Sequence, residues 1–136
     1  MKRRFFFIIL TLILFILILC IAADNSKVKS ELKRYIYSTE LVKLIERIKS
    51  AEEKDIVIVD VRPSEIYNKS HIPTSINIPN GITKKAFEEL KNKDLILYCE
   101  TGGRVEVAKK NLVKDGFDIE RMLNFGGFSN YKGKTE

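Results

Sequence analysis

One stretch of this chain has the residue types and spacing for covalent chemistry: Cys99-Glu100-Thr101-Gly102-Gly103-Arg104. A cysteine is a nucleophile as the thiolate, not as the thiol. Three features of the stretch favour that form. Two glycines let the backbone curl so that successive N–H groups point inward. Arg104 adds a fixed cation. Val105, Ala108 and Leu112 come next at helical spacing, with Val113 at the edge of the same face, so a helix presents its positive N-terminal end to the thiol. The same ring of donors would hold an anion on the sulfur. The competing reading is a buried structural cysteine before an ordinary turn, since free cysteine is among the most buried residue types. The order strand, Cys, Gly-Gly, Arg, helix favours a functional loop.

The loop needs an element that delivers the thiol to it. Leu95-Ile96-Leu97-Tyr98 is a continuous apolar run that predicts a buried strand ending at Cys99. Sites in open α/β sheets form at the carboxyl ends of strands. Four more stretches are strand candidates: Tyr35-Ile36-Tyr37, Ile56 to Val59, Ser75 to Ile78, and Met122 to Phe125. The second runs on into Asp60-Val61-Arg62, and Pro63 stops it. Helical spacing marks Leu41, Leu44, Ile45 and Ile48, with Ser38 or Thr39 as the cap. Pro63 to Tyr67 predicts a short helical turn. Thr83 caps a helix with Phe87 and Leu90 inward. Gly116 ends the helix after the loop, and Gly126-Gly127 reads as a turn into a short tail. Strands alternate with helices, so the expected class is α/β, a parallel sheet covered on both faces.

Composition divides the chain. Of 136 residues 45% are hydrophobic, yet the first 23 alone hold 19 of them. Lys2, Arg3 and Arg4 precede an apolar run from Phe5 to Ala23 that only Thr11 interrupts. This is a basic n-region before an h-region, of a length bordering on a membrane span. Residues 1–23 are therefore expected to be a signal peptide or a membrane anchor. Three fates stay open: cleavage after Ile21-Ala22-Ala23, retention as an anchor, or lipidation at Cys20. Lys27, Lys29, Lys33 and Arg34 make residues 24–34 a polar tether and weaken the positive-inside asymmetry. Export of residues 35–136, to a periplasmic or secreted location, is the favoured layout. Without Lys2, Arg3 and Arg4 the net charge of +6 falls to +3, too little to argue for a nucleic-acid partner. The rest of the chain has the size of one domain and excludes a multidomain enzyme, a disordered chain and a disulfide scaffold.

Three separated stretches resemble the rhodanese (sulfurtransferase) domain family. They are Asp60-Val61-Arg62-Pro63-Ser64-Glu65 with His71-Ile72-Pro73-Thr74-Ser75-Ile76-Asn77-Ile78-Pro79, then Tyr98 to Arg104, then Gly126-Gly127-Phe128 with Tyr131. The resemblance spans about Tyr35 to Gly133. It implies a five-stranded parallel sheet flanked by helices and a ping-pong reaction without a cofactor. A cysteine takes the outer sulfur of a donor such as thiosulfate, then passes it to cyanide or a thiol. On these positions Cys99 matches the sulfur carrier, Glu100, Thr101, Gly102, Gly103 and Arg104 match the loop that cradles the persulfide, and Asp60 and Arg62 match a pair that fixes loops beside the site. The implied partners are a small sulfur-containing anion or thiol and a protein sulfur acceptor, with the membrane added if the leader stays uncut.

From Cys99 to Arg104 the spacing is Cys-x4-Arg, whereas phosphatases use Cys-x5-Arg to admit a tetrahedral oxyanion. The shorter loop suits a single sulfur and disfavours a phosphatase or arsenate reductase. Glu100 stands where many active members carry a basic residue, Ser70 where a glycine is usual, Val105 where Ser or Ala is common, and Phe128 where a tryptophan is frequent. His71, the only histidine, reads as a loop residue bonded to backbone. One histidine and one cysteine beyond the leader cannot supply four metal ligands, and Cys99 has no partner for a disulfide once Cys20 is gone. Two function classes therefore stand: a sulfurtransferase working through a Cys99 persulfide, and a carrier or protein-binding module of the same fold with little turnover.

Overall fold

The computed structural model describes the backbone of residues 2–82 and 87–136, and side chains there except those of 2–6, 24–26, 28–30, 87 and 88. A long helix α1, Lys2–Lys33, opens the chain. A single 3-10 turn, Arg34–Ile36, leads into α2, Ser38–Lys49. Then come β1 (Ile56–Asp60), the one-turn α3 (Ser64–Tyr67), β2 (Ile76–Asn77), a 3-10 turn at Pro79–Gly81, α4 (Phe87–Leu90) and β3 (Asp94–Cys99). The helix α5 (Gly103–Lys114), a 3-10 turn at Ile119–Arg121 and β4 (Met122–Gly127) complete it. The cap expected from Thr83 and the inward Phe87 side chain lie outside the described residues.

All strand pairs are parallel, in the order β2-β1-β3-β4. Strand side chains alternate between faces, and this separates two cores. Val59, Leu95, Leu97 and Cys99 lie with Val105, Ala108 and Leu112 of α5. Ile58, Ile96 and Tyr98 lie with Leu41, Leu44 and Ile45 of α2. Each of these α2 side chains is fully or almost fully buried, worth roughly 1.5–3 kcal/mol apiece. The expected parallel sheet with helices on both faces is therefore present.

The sheet has four strands, not five. The candidate Tyr35-Ile36-Tyr37 forms the 3-10 turn and the N-cap of α2 instead. Tyr35 is buried while Ile36 and Tyr37 are exposed. Squeezed between two helices, the stretch lies against edge strand β4 without entering the sheet. The cap differs too. Tyr37 is the N-cap of α2, and Ser38 Oγ accepts the Lys132 N–H at 2.8 Å, tying the C-terminal tail to that helix. Leu90 faces inward as expected, whereas Val113 is exposed.

The stretch read as a tether, residues 24–34, is helical through Lys33, and Leu32 is buried in the α2-side core. Every side chain from Phe7 to Ala23 is exposed. Among the described residues no helix is long and apolar enough to cross a membrane.

Tyr98 fastens the loop after α3 to the sheet. Its buried hydroxyl accepts the Ile72 N–H at 3.0 Å and meets Ser75 Oγ at 3.1 Å. Tyr98→Phe leaves both partners short of a bond. We expect a loss of roughly 1–3 kcal/mol at neutral pH, read from urea unfolding. Burial raises the Tyr98 pKa above its ordinary value, so the folded chain keeps a proton that an unfolded tyrosine sheds near pH 10. This contribution is whole below that pH and shrinks as pH rises through the folded pKa. The gap between wild type and Tyr98→Phe should therefore narrow above about pH 10.

Candidate active site

Strand alternation decides where the thiol goes. Cys99 is the last residue of β3 and shares a face with Leu95 and Leu97, the face α5 covers. Its sulfur therefore meets the N-terminal end of α5 at the carboxyl edge of the sheet. Gly102, at φ +94°, turns the chain there, a conformation costly for any side chain. Its N–H points back at Cys99 Sγ at 3.1 Å. The helix begins at the next residue, and the N–H groups of a first turn have no partner within the helix. Cys99 is buried, while Glu100, Thr101, Gly103 and Arg104 around it are exposed.

The far wall of the loop is β4. Leu97 pairs with Asn124 but Tyr98 pairs with Gly126, so Phe125 is an extra residue and the strand bulges. Gly126 takes a positive φ of 99° at the bulge. Asn124 Oδ1 accepts the Gly126 N–H at 2.8 Å, and its amide donates to Glu106 of α5 at 2.8 Å. Gly126 and Gly127, read from sequence as a turn, instead continue β4 beside Tyr98 and Cys99. A side-chain carbon on Gly127 would sit 2.6 Å from the Glu100 carbonyl oxygen. Gly127→Ala is thus expected to push the loop outward, costing about 1–3 kcal/mol and slowing any reaction at Cys99. Thermal unfolding and thiol alkylation rates check this. Sequence reasoning missed Asn124. The available signal was an Asn two residues before a glycine, the pattern of an Asx turn.

The Asp60–Arg62 pair stands at the end of β1. Asp60 Oδ2 accepts from Arg62 Nε at 2.9 Å and from Nη2 at 2.7 Å, and Oδ1 accepts the Arg62 main-chain N–H at 2.8 Å. Nη2 also donates to the Ser70 carbonyl at 2.8 Å. The guanidinium lies 4.2 Å from the centre of the Phe128 ring, a cation–π distance. Burial would lower the Arg62 pKa, but the hydrogen bonds and charge of Asp60, joined by Tyr98 and Glu100, hold the guanidinium above its ordinary range. Asn77 closes the turn by donating to the carbonyls of Asp60 and Arg62 at 3.0 and 2.9 Å.

Arg62 is also what joins this pair to the loop, through Nη1 to Glu100 Oε2 at 3.4 Å. The structure therefore brings together Cys99, Glu100, Thr101, Gly102, Gly103, Asp60 and Arg62. The Arg104 side chain is exposed and has no hydrogen bond or ion pair among the described residues. His71 is stacked on Tyr67 at 3.9 Å, with Nδ1 3.0 Å from the Tyr67 carbonyl oxygen. Its main chain exchanges hydrogen bonds with Glu136. No group of three or more metal-binding side chains occurs among the described residues.

The arrangement is a buried thiol that accepts the Gly102 N–H at the N-terminal end of α5, able to bear a bound anion or an added sulfur. The model of the rhodanese-like domain matches residues 40–134. The chain belongs to the rhodanese-like domain family. The Bacillus subtilis protein YrkF, provisionally named a sulfur carrier, is 36% identical over 86 residues, covering 62% of this chain and 45% of that protein. The Saccharomyces cerevisiae adenylyltransferase and sulfurtransferase UBA4 is 33% identical over 87 residues, 55% of this chain and 20% of that protein. The chain thus spans less than half the length of these curated relatives. Among solved structures, a rhodanese with anions from E. coli is 27% identical with a TM-score of 0.50, covering 60% of this chain and 96% of that one.

Proposed function

We propose that this protein is a sulfurtransferase that moves sulfane sulfur from a donor such as thiosulfate or a polysulfide to cyanide or a thiol acceptor. The observation that carries the reading is the Gly102 N–H aimed at Cys99 Sγ from 3.1 Å, at the carboxyl end of a central strand. In the first half-reaction the Cys99 thiolate attacks the outer sulfur of the donor. The donor's S–S bond breaks and its leaving group, sulfite in the case of thiosulfate, departs with the electron pair. In the second, cyanide or a thiolate attacks the outer sulfur of the persulfide and the Cys99 thiolate leaves. No external oxidant or cofactor enters either step. The Gly102 N–H and the positive end of α5 stabilise the terminal persulfide anion. The short Cys99–Arg104 loop favours sulfur over a tetrahedral oxyanion.

The name of the Bacillus subtilis relative supports a second reading, a carrier that holds sulfur for a partner protein with little turnover. Treatment with thiosulfate or polysulfide and then intact-mass measurement separates the two. A gain of about 32 Da with repeated transfer to cyanide or a thiol marks the enzyme, and labelling without turnover marks the carrier. Cys99-dependent phosphatase activity without sulfur loading would overturn both.

We further propose that residues 5–23 act as an export signal or anchor and place the domain outside the cytoplasm, with the membrane as a partner if uncut. Phe7 to Ala23 exceeds the roughly 7–15 residues of a secretory h-region, and its apolar side chains are exposed. The mature N-terminus, read by mass spectrometry of the native protein, decides among cleavage, lipidation at Cys20 and retention.

A further inference from the structure

Arg62 is the most confined cation near the thiol. Its side chain is 3% exposed, and a guanidinium offers five donors from three nitrogens. Nε and Nη2 are committed to Asp60 and the Ser70 carbonyl at 2.7 to 3.1 Å. Phe128 covers it at 4.2 Å. Among the described residues the third nitrogen, Nη1, meets only Glu100, whose carboxylate reaches in from solvent with 59% of its side chain exposed.

Charge arithmetic then matters. Asp60 already balances Arg62, so the set Asp60, Arg62 and Glu100 carries one net negative charge, and the excess sits on exposed Glu100 beside the thiol. The loop's other cation, Arg104, is exposed and without an ion pair among the described residues. The loop thus offers an incoming donor one unengaged cation and one carboxylate. Glu100 thus offsets the pull that Arg104 would exert on an anion, a loss twice as large for a dianion as for a monoanion, and Arg62 is already engaged by Asp60, the Ser70 carbonyl and Glu100.

We propose that Glu100 is a specificity-determining residue that tunes the Cys99 loop toward sulfane-sulfur donors carrying one negative charge or none, against dianions such as thiosulfate. This rests on the sulfur-transfer reading of the site.

Two donors isolate the effect. Thiosulfate and benzenethiosulfonate both deliver an outer sulfur by cleavage of one S–S bond, releasing sulfite and benzenesulfinate respectively, but the first is a dianion and the second a monoanion. The readout is the ratio of kcat/KM for thiosulfate to that for benzenethiosulfonate. In Glu100→Gln the ratio should rise roughly tenfold, the size of one unit-charge interaction at a solvent-exposed loop. In Glu100→Asp, which keeps the charge, it should stay near the wild-type value. Raising salt from about 0.01 to about 0.5 M should lift the wild-type ratio more than that of Glu100→Gln, because screening weakens the repulsion. An unchanged ratio in Glu100→Gln overturns the proposal, as does a shift of equal size in Glu100→Asp, which would make shape rather than charge the cause. If the wild type loads sulfur from neither donor, the sulfur-transfer reading itself falls and takes this proposal with it.

Discussion

Cys99→Ser is expected to abolish sulfur loading and to lower transfer to cyanide or a thiol by about a thousandfold or more. An oxygen nucleophile at this position forms no persulfide, and loss of an attacking atom is among the largest single effects in enzymes. The fold should survive. Serine is close in shape, and its hydroxyl can still accept the Gly102 N–H that now reaches the sulfur at 3.1 Å. The site sits at a strand end under the first turn of α5, so the cost of a buried hydroxyl that keeps one bond is about 1 kcal/mol. The check is paired: intact mass after donor treatment should show no gain of about 32 Da, while circular dichroism and the unfolding midpoint stay near wild type. A Cys99→Ser protein that still transferred sulfur would sink the covalent mechanism.

Arg62→Met is expected to be the most destabilising of these single changes, by about 3–5 kcal/mol. Asp60 is fully buried and Arg62 nearly so, so removing the guanidinium strands a carboxylate without its cation. Three other contacts go with it: the Ser70 carbonyl, the Phe128 ring and the Glu100 carboxylate. For a domain of this size the thermal midpoint should fall by more than about 10 °C. Adding Asp60→Asn removes the stranded charge, and the double variant should recover part of the loss, because much of the penalty is the unpaired ion rather than the pair's net worth. Equal stability of the single and double variants would contradict a buried-charge origin.

Strong local patterns are legible in the residues alone. Ile56 to Val59 and Leu95 to Tyr98 are buried runs of the kind that central strands require. Leu41, Leu44 and Ile45 mark a helix face by spacing, and all three are buried on the sheet. Weak patterns mislead. Tyr35-Ile36-Tyr37 has strand-forming residues, but the stretch links α1 to α2 as a 3-10 turn and an N-cap, with only Tyr35 buried. Gly126-Gly127 resembles a turn because glycine pairs usually break strands. Here the bulge at Phe125 makes use of them, one to turn at positive φ and one to let the Glu100 carbonyl approach.

The sequence by itself determined the candidate cysteine, the family and the alternation of strands and helices. Those depend on residue type and on periods of two and 3.6 residues, which are local. Only the tertiary structure decided what surrounds the thiol. The sulfur faces α5 because of the phase of β3 within the sheet. Asn124 and Gly127 border the loop because β4 pairs with β3 through a one-residue slip. Arg62 reaches Glu100, 38 residues away, because parallel pairing of β1 with β3 brings both strand ends to one edge. Such contacts depend on how separate elements dock, and no local pattern encodes docking.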